Sequence, residues 1–350
     1  MGLTIITKEA QWDAVIETFP RHDIYYRYAY VHSLELHGDG TPMLFLYETE
    51  KGAVCYVALK EDIALFPAFR GHLAEGTQFD LSTPYGYGGP LTRGNCSEEL
   101  IADFVKELTS YCCEHKIVSQ FFRFHPLLGN HTIFEKHATI LTSKQTIYMD
   151  TSSEEIIFQN MTSKNRNMVR KAEKNGITIM MDSGEHMDEF IKIYEETMDK
   201  NHAEDYYYFD RNYFSYLFEH LKGHICVFYA IYESKIISAS IFLYDNVFMH
   251  YHLSGTLNAY RNLGANNLIL YEGAKFASAH HLTSFHLGGG IENEDALFSF
   301  KKHFNRNGRL DFYIGRMIFD EKAFDSLVNL RKKTDINFDV EKPFLIKYRG

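Results

Sequence analysis

The sequence predicts an α/β protein with mixed sheets, built as two successive units. Three observations carry this. The chain has 350 residues, more than the roughly 250–300 at which a single hydrophobic core stops growing. One order of elements is legible twice: antiparallel strands, a Gly-rich or polar loop, a helix, then a further strand. No Pro/Ser-rich or low-complexity linker divides the chain, so the boundary has to come from that repetition.

In the first pass, "TPMLFLYE" (41–48) and "AVCYVALKE" (53–61) read as strands around "TEKG". The stretch "DLSTPYGYGGPLTRGN" (80–95) is too rich in Gly and Pro for either element and reads as a loop. A helix follows over "SEELIADFVKELTSYCCEHK", and "SQFFRFH" is the next strand. In the second pass "CVFYAIYES" and "IISASIFLYDN" form a hairpin around "SK", followed by the strand "VFMHYHLSGT". Then come the polar loop "LNAYRNLGAN", a helix through "NLILYEGAKFASAHH" and the strand "TSFHLGG".

The join falls near residues 146–162, where "TIYMDTSSEEIIFQNMTSKNRNMVRKAEKNGITI" opens the second unit with a strand and two helices. Thr162 or Ser163 is the N-cap and Asn175-Gly176 the helix stop. The expected division is 1–145, 146–316, and a C-terminal helix and strand over 317–350 that fold back onto the rest.

Composition limits the function. With 45% hydrophobic and 23% charged residues, both units have the material for packed cores. The 28 Phe and 24 Tyr exceed what the single Trp would lead one to expect, and Tyr also lines clefts with one wet end. A net charge of -10 argues against a protein whose whole surface grips nucleic acid, DNA included, although a local basic site stays open. Five cysteines without C-x-x-C spacing suggest free thiols in a reducing compartment. No run reaches the ~18 apolar residues of a membrane span, and the N-terminus lacks a cationic region before a long apolar one, so a cytoplasmic protein is expected.

Five segments, in this order, carry a family resemblance: "YYRYAYVHSLE" (25–35), "STPYGYGGPL" (82–91), "NRNMVRKAEKNGITI" (165–179), "SGTLNAYRNLGANNLILYEGAKFA" (254–277) and "LGGGIENEDALFSFKKHFN" (287–305). Together they resemble the Fem-type aminoacyltransferases of peptidoglycan bridge synthesis, a branch of the GNAT acyltransferase superfamily. The resemblance implies two tandem GNAT-like acyl-CoA N-acyltransferase domains, the first on the acceptor side and the second carrying the transfer chemistry. It also implies aminoacyl transfer from aminoacyl-tRNA to an amine of a small-molecule or peptide acceptor, with no tightly bound cofactor and no metal. The long charged helical hairpin that some Fem members insert is absent from the sequence. Two rival readings stay open: acyl-CoA-dependent N-acetyltransfer, and a non-catalytic GNAT-like protein that binds a nucleotide-sugar or peptidoglycan precursor.

GNAT enzymes hold the coenzyme A pyrophosphate on an Arg/Gln-x-x-Gly-x-Gly/Ala turn at a helix N-terminus. Arg261 and Gly264 fit that spacing and, with Asn262 and Ala265 of the same turn, are the candidate cofactor-binding residues, but Asn266 stands where Gly or Ala belongs. A side chain there would crowd a diphosphate, which leaves room for a different donor. An ordinary loop and cap would use the same residues.

On the helix of "SKNRNMVRKAEKNG", Arg166, Arg170 and Lys174 recur at i, i+4 and i+8, with Lys164 and Lys171 alongside. Such a stripe steers phosphates or is a solvated helix face. The resemblance favours the phosphate reading for Arg166 and Arg170. Tyr85, Tyr87 and Gly88 lie in the first unit's Gly/Pro-rich loop, where glycine admits close backbone approach and tyrosine offers a flat contact with a polar tip. The alternative there is a corner packed for shape. Tyr206, in "EDYYYFDRNYF", belongs to a run of rings that cannot all point inward, and Ser254 and Gly288 complete the candidate substrate contacts. His250-x-His252 would share one strand face but lacks a third ligand for a metal.

Acyl transfer to an amine must stabilise an oxyanion and take a proton from the nucleophile. The resemblance places a Phe-Lys pair at the transfer site, and Phe300-Lys301 fits that register, Lys301 as the cation beside the oxyanion and Phe300 excluding water. Two surface lysines on a helix are the alternative for Lys301 and Lys302. Of the acids, Asp295 is expected to cap the helix that begins near Asn293, and the base stays unassigned.

Overall fold

The computed structural model describes residues 2–350. Contacts divide the chain into two compact units, one running to Ser143 and completed by Phe312–Gly350, the other Lys144–Asp311. In chain order the first unit begins with β1 (Leu3–Ile6), α1 (Glu9–Ile16), α2 (Tyr28–His37), β2 (Thr41–Glu48) and β3 (Gly52–Asp62). It continues with β4 (Phe79–Ser82), β5 (Leu91–Gly94), α3 (Glu98–Glu114) and β6 (Ile117–Arg123). The chain passes into the second unit within β7 (Thr139–Asp150). There follow α4 (Glu154–Asn160), α5 (Ser163–Lys174), β8 (Thr178–Asp182), α6 (Met187–Asn201), α7 (Arg211–His220), β9 (Ile225–Tyr232), β10 (Lys235–Asp245) and β11 (Phe248–Thr256). The run closes with α8 (Ala265–Ala279), β12 (Ser284–Gly289) and α9 (Ala296–Lys301); β13 (Arg309–Ile318) and α10 (Glu321–Thr334) return it to the first unit.

The first unit's strands lie in the order β1-β2-β3-β4-β6-β13, with β5 paired to β3. All pairs are antiparallel except β4 with β6. The second unit's order is β8-β9-β10-β11-β12-β7, antiparallel except for β11 with β12. Each parallel pair is bridged by a helix, α3 or α8, because a parallel connection cannot be made by a tight turn. This repeated mixed sheet is the α/β architecture expected from the duplicated pattern, and it agrees with the GNAT-like fold that the resemblance implies.

Local chemistry explains most boundaries. Ser97 Oγ accepts from Leu100 N at 3.3 Å to start α3, whose Leu100, Ile101, Phe104, Leu108 and Cys112 form a buried stripe. Burying Phe104 or Leu108 contributes about 1.5–3 kcal/mol each. Thr162 caps α5 through Asn165 N at 3.3 Å, and the helix stops at Asn175 before Gly176 at φ +79°. The β9–β10 hairpin turns on Glu233 and Ser234, at φ +48° and +64°, one residue earlier than the "SK" expected.

One expectation fails at its ends. The segment 80–95 was expected to lack regular structure, yet its borders supply part of β4 and all of β5. Both are short strands held by β3, with Leu59–Asp62 opposite β4 and Gly52–Cys55 opposite β5, so pairing overrides local propensity. The second unit's core gathers Ile147, Phe228, Phe242, Leu268, Phe285 and Phe304. In the first unit, Phe324, Leu327, Val328 and Tyr348 from the C-terminal segment pack against Ile63, Phe69 and Val118. All five cysteines are free. Among the described residues no helix is long and apolar enough to cross a membrane.

Candidate functional site

In the second unit β11 and β12 pair over only three positions, Phe248–His250 with Ser284–His286. Each strand then follows its other neighbour. β11 stays with β10 to Thr256, its register slipping past His252, while β12 stays with β7, slipping past Leu287. Beyond these bulges no ladder joins β11 to β12, and the two strands part.

Lys301, the last residue of α9, is set beside this opening. It is 7% exposed, and its Nζ donates to Gly289 O at 2.7 Å and lies 5.6 Å from the centre of the Tyr251 ring. The amine therefore touches the end of β12 and a side chain of β11. Burial pushes its pKa from 10.5 down to about 7; the Lys144 ammonium lowers it further, and the Asp295 carboxylate opposes them. A surface lysine would be fully charged at neutral pH, whereas this one exists in both forms. Tyr251 Oη is bonded to Ser254 Oγ and accepts from Asn266 Nδ2 at 3.0 Å.

The triple glycine shapes the same opening. Gly288 adopts φ +73°, and a Cβ on Gly289 would lie 2.7 Å from Gln145 O of β7. A Cβ on Gly290 would run into the Asp295 carboxylate. Asp295 needs that space: it caps α9 through Phe298 N at 2.7 Å and also accepts from Ile291 N at 2.7 Å and Glu292 N at 3.1 Å. Those bonds hold its carboxyl below the usual range although burial opposes them. Lys144 Nζ donates to Gly290 O at 2.8 Å, so two lysines and one aspartate fix this turn.

The helix thus starts at Ala296, later than the Asn293 expected, because Asp295 is its cap. Glu294 is engaged by Lys302 at 3.2 Å and Arg309 at 2.9 Å. Phe300 meets Phe304 edge-on at 5.2 Å and packs on the core. Adjacent helical residues diverge by about 100°, so Phe300 and Lys301 leave α9 in different directions.

The turn before α8 brings Arg261, Asn262, Gly264 and Ala265 together. Gly264 has φ +82°, and a Cβ on it would lie 2.8 Å from Met168 O of α5. No side chain caps α8 at Gly264, which leaves first-turn N–H groups to face an anion. Lys171 Nζ donates to Asn262 O at 2.8 Å. Asn266 turns toward Tyr251, so its side chain is drawn to β11.

Arg166 and Arg170 both lie over the Phe158 ring, at 5.3 and 5.7 Å. Arg166 is engaged locally: it donates to Met161 O, and to Phe158 O at 3.3 Å, satisfying carbonyls at the end of α4. Tyr206 lies in a turn after α6, edge-on to Tyr207 at 5.4 Å and to Phe209 at 6.1 Å. His252 Nε2 is hydrogen-bonded to Tyr213 Oη at 3.0 Å, and burial, then His250, push its pKa down to about 3.

In the first unit Tyr87 sits among Tyr25, His125 and Phe312, with ring centres 5.6, 5.9 and 5.3 Å away. Arg123 lies over Tyr85 at 5.9 Å and donates to Gly86 O at 3.0 Å. Gly88 is buried and its backbone is consumed by pairing: its N–H bonds Arg123 O at 2.8 Å and its C=O accepts from His125 N at 3.0 Å. Asp23 and His125 form a buried pair at 2.6 Å. Sequence reading missed that pair, and it missed Tyr251 as the partner of Lys301.

Residues 159–302, which include α5, α8 and Lys301, match the family model described as an acetyltransferase (GNAT) domain. This match supports acyl-transfer chemistry in the second unit. The chain is similar in fold to the solved structure of FemX, at 12% identity and a TM-score of 0.68, with 93% of this chain and 99% of that one covered. It is also similar to a conserved protein of unknown function from Bacteroides thetaiotaomicron, at 11% identity and TM-score 0.61, covering 90% and 99%. A third similar structure is L-PGS from Bacillus licheniformis, at 11% identity and TM-score 0.56, covering 93% and 96%. No curated protein matches the sequence.

Proposed function

We propose that the second unit transfers an acyl group to an amine and that Lys301 handles the proton. The observation that carries this is a buried amine, held at a pKa of about 7, beside the opening where β11 and β12 part. A general base works best with its pKa near the working pH. Neutral Lys301 takes the proton of the attacking amine as the new C–N bond forms. The resulting ammonium then stands beside the oxyanion of the tetrahedral intermediate. As that intermediate collapses, the leaving oxygen or sulfur of the donor takes the proton back. This keeps the expected role of Lys301 as a cation and makes the same group the base that the sequence left unassigned.

The family resemblance supports an aminoacyl group as the cargo, aminoacyl-tRNA as donor and a cell-wall precursor peptide as acceptor. Ser254 and Gly288 flank the proposed centre, while Tyr85, Tyr87 and Tyr206 remain proposed substrate contacts. A second reading, with acyl-CoA as donor, is favoured by the uncapped start of α8 behind Arg261–Ala265 and by the GNAT-domain match. The test is turnover by the purified protein with aminoacyl-tRNA or acetyl-CoA and amine acceptors. Lys301→Met should abolish transfer while acceptor binding persists; retained turnover would overturn the mechanism. Tight binding of acetyl-CoA with turnover would overturn the tRNA version. No turnover with either donor, alongside firm binding of the precursor, would favour the binding-protein reading.

A further inference from the structure

The corner between α4 and α5 holds a shallow pocket of about 650 Å³ lined chiefly by Phe158, Gln159, Asn167 and three arginines, Arg166, Arg170 and Arg306. Its lining contains no carboxylate among the described residues, in a chain of net charge -10. Three guanidiniums lining one pocket repel one another, two of them over the Phe158 ring, and nothing in the lining neutralises them. Arg166 is engaged with the α4 carbonyls. Arg306 is anchored by Nη2 to Gln159 O at 2.7 Å, one of the five N–H donors of its fork. Arg170 makes no hydrogen bond or ion pair among the described residues; it only overlies Phe158, at 5.7 Å. Phe158 itself is 38% exposed, a large apolar ring open to solvent between charges.

Further basic groups lie beside this corner, Lys302 among them being paired with Glu294 at 3.2 Å. His303 is bonded to Thr162 Oγ1 at 3.3 Å, and its pKa is lowered by burial and then by Lys164 and Lys302. Arg306, Lys302 and the proposed catalytic Lys301 therefore follow one another along a single short segment beside the start of α5.

Guanidinium forks match phosphate oxygens in pairs. Aromatic rings beside basic groups give bases a surface on which to stack. We propose that this pocket is a nucleotide subsite, in which Arg170 and Arg306 hold a phosphate and Phe158 carries the adjoining base. The proposal deepens the acyl-transfer reading, on which it rests, by giving the donor its handle. A nucleoside phosphate is common to an RNA 3′ end and to coenzyme A.

The test uses the full chain, a labelled single-stranded RNA ending in CCA followed by fluorescence anisotropy across salt concentrations, and coenzyme A followed by calorimetry. Arg170→Glu/Arg306→Glu should weaken one of the two probes at least tenfold. If that probe is RNA, the slope of log K against log salt should flatten by about 0.7 for each phosphate no longer neutralised. Phe158→Leu, which keeps apolar bulk but removes the ring, should weaken the same probe about fivefold or more with its salt slope unchanged, because stacking releases no counterions. The probe that responds identifies the source. Circular dichroism and the milder Arg170→Gln/Arg306→Gln pair guard against misfolding, and the milder pair should still weaken the probe. Wild-type affinity for both probes in all of these variants would overturn the proposal. Lys301→Met separates the two claims. If it still turns over while the arginine variants lose the probe, the transfer mechanism fails and the subsite stands; if it is inactive while the arginine variants bind normally, the subsite fails.

Discussion

Replacing Lys301 by methionine tests the central claim through stability as well as turnover. The side chain keeps its length and apolar stem but loses the amine. In the folded protein the amine titrates near 7, against a reference of 10.5, a difference of about 3.5, or on the order of 5 kcal/mol at about 1.36 kcal/mol per pKa unit. The folded pKa is the lower one, so between pH 7 and 10.5 the unfolded chain binds more protons and stability rises with pH. Below about pH 7 the wild type bears the full cost of burying a charge; above 10.5 it bears none. The variant escapes that cost but leaves Gly289 O without its donor, a loss of about 1–3 kcal/mol. Lys301→Met should therefore be more stable than wild type by about 2–4 kcal/mol at pH 6 and less stable at pH 10.5. Urea denaturation followed by circular dichroism at both pH values measures this. A stability difference of the same sign and size at both would refute the buried, neutralised amine. In parallel, wild-type turnover should rise through about pH 7 and level off, and Lys301→Arg, always charged, should be inactive.

Gly290→Ala should force Asp295 off the first turn of α9, with a stability loss of about 0.5–2 kcal/mol from the cap alone and a fall in turnover, measured by denaturation and steady-state kinetics. Tyr251→Phe removes the hydroxyl that joins Ser254 to Asn266; a loss of about 1–3 kcal/mol is expected, and turnover should drop while Lys301 keeps its bond to Gly289. His252 titrates near 3 in the folded chain against 6.5 as reference, so the unfolded chain binds more protons between those values and stability falls as pH drops through that window. His252→Gln, which can still hydrogen-bond Tyr213, should flatten the acid side of the stability profile; an unchanged profile would show that His252 does not titrate in this way.

What could be read from sequence was the chemistry of neighbours. The capping of α5 by Thr162 and of α9 by Asp295 depends on a few adjacent residues and was anticipated. The duplicated order of strands and helices was legible because both crossover helices follow antiparallel strands. Contacts supplied from afar were not legible. β4 and β5 lie at the borders of a Gly/Pro-rich run and are strands because β3 pairs with them. Arg166 fits a cationic stripe, yet its guanidinium satisfies carbonyls of α4. Lys301 looks like any helix-end lysine until Tyr251, fifty residues earlier in the numbering, closes over it.

The division of the chain also sets an order of manufacture. Everything in the core of Lys144–Asp311 lies within one continuous stretch, while the other unit waits for β13 and for Phe324, Leu327, Val328 and Tyr348 near the end of the chain. On the ribosome, where segments fold as they emerge, the unit that begins first is therefore completed last. Until Phe324, Leu327, Val328 and Tyr348 have been made, Ile63, Phe69 and Val118 lack this part of their apolar cover, and the first unit stays unfinished after the second has been synthesised.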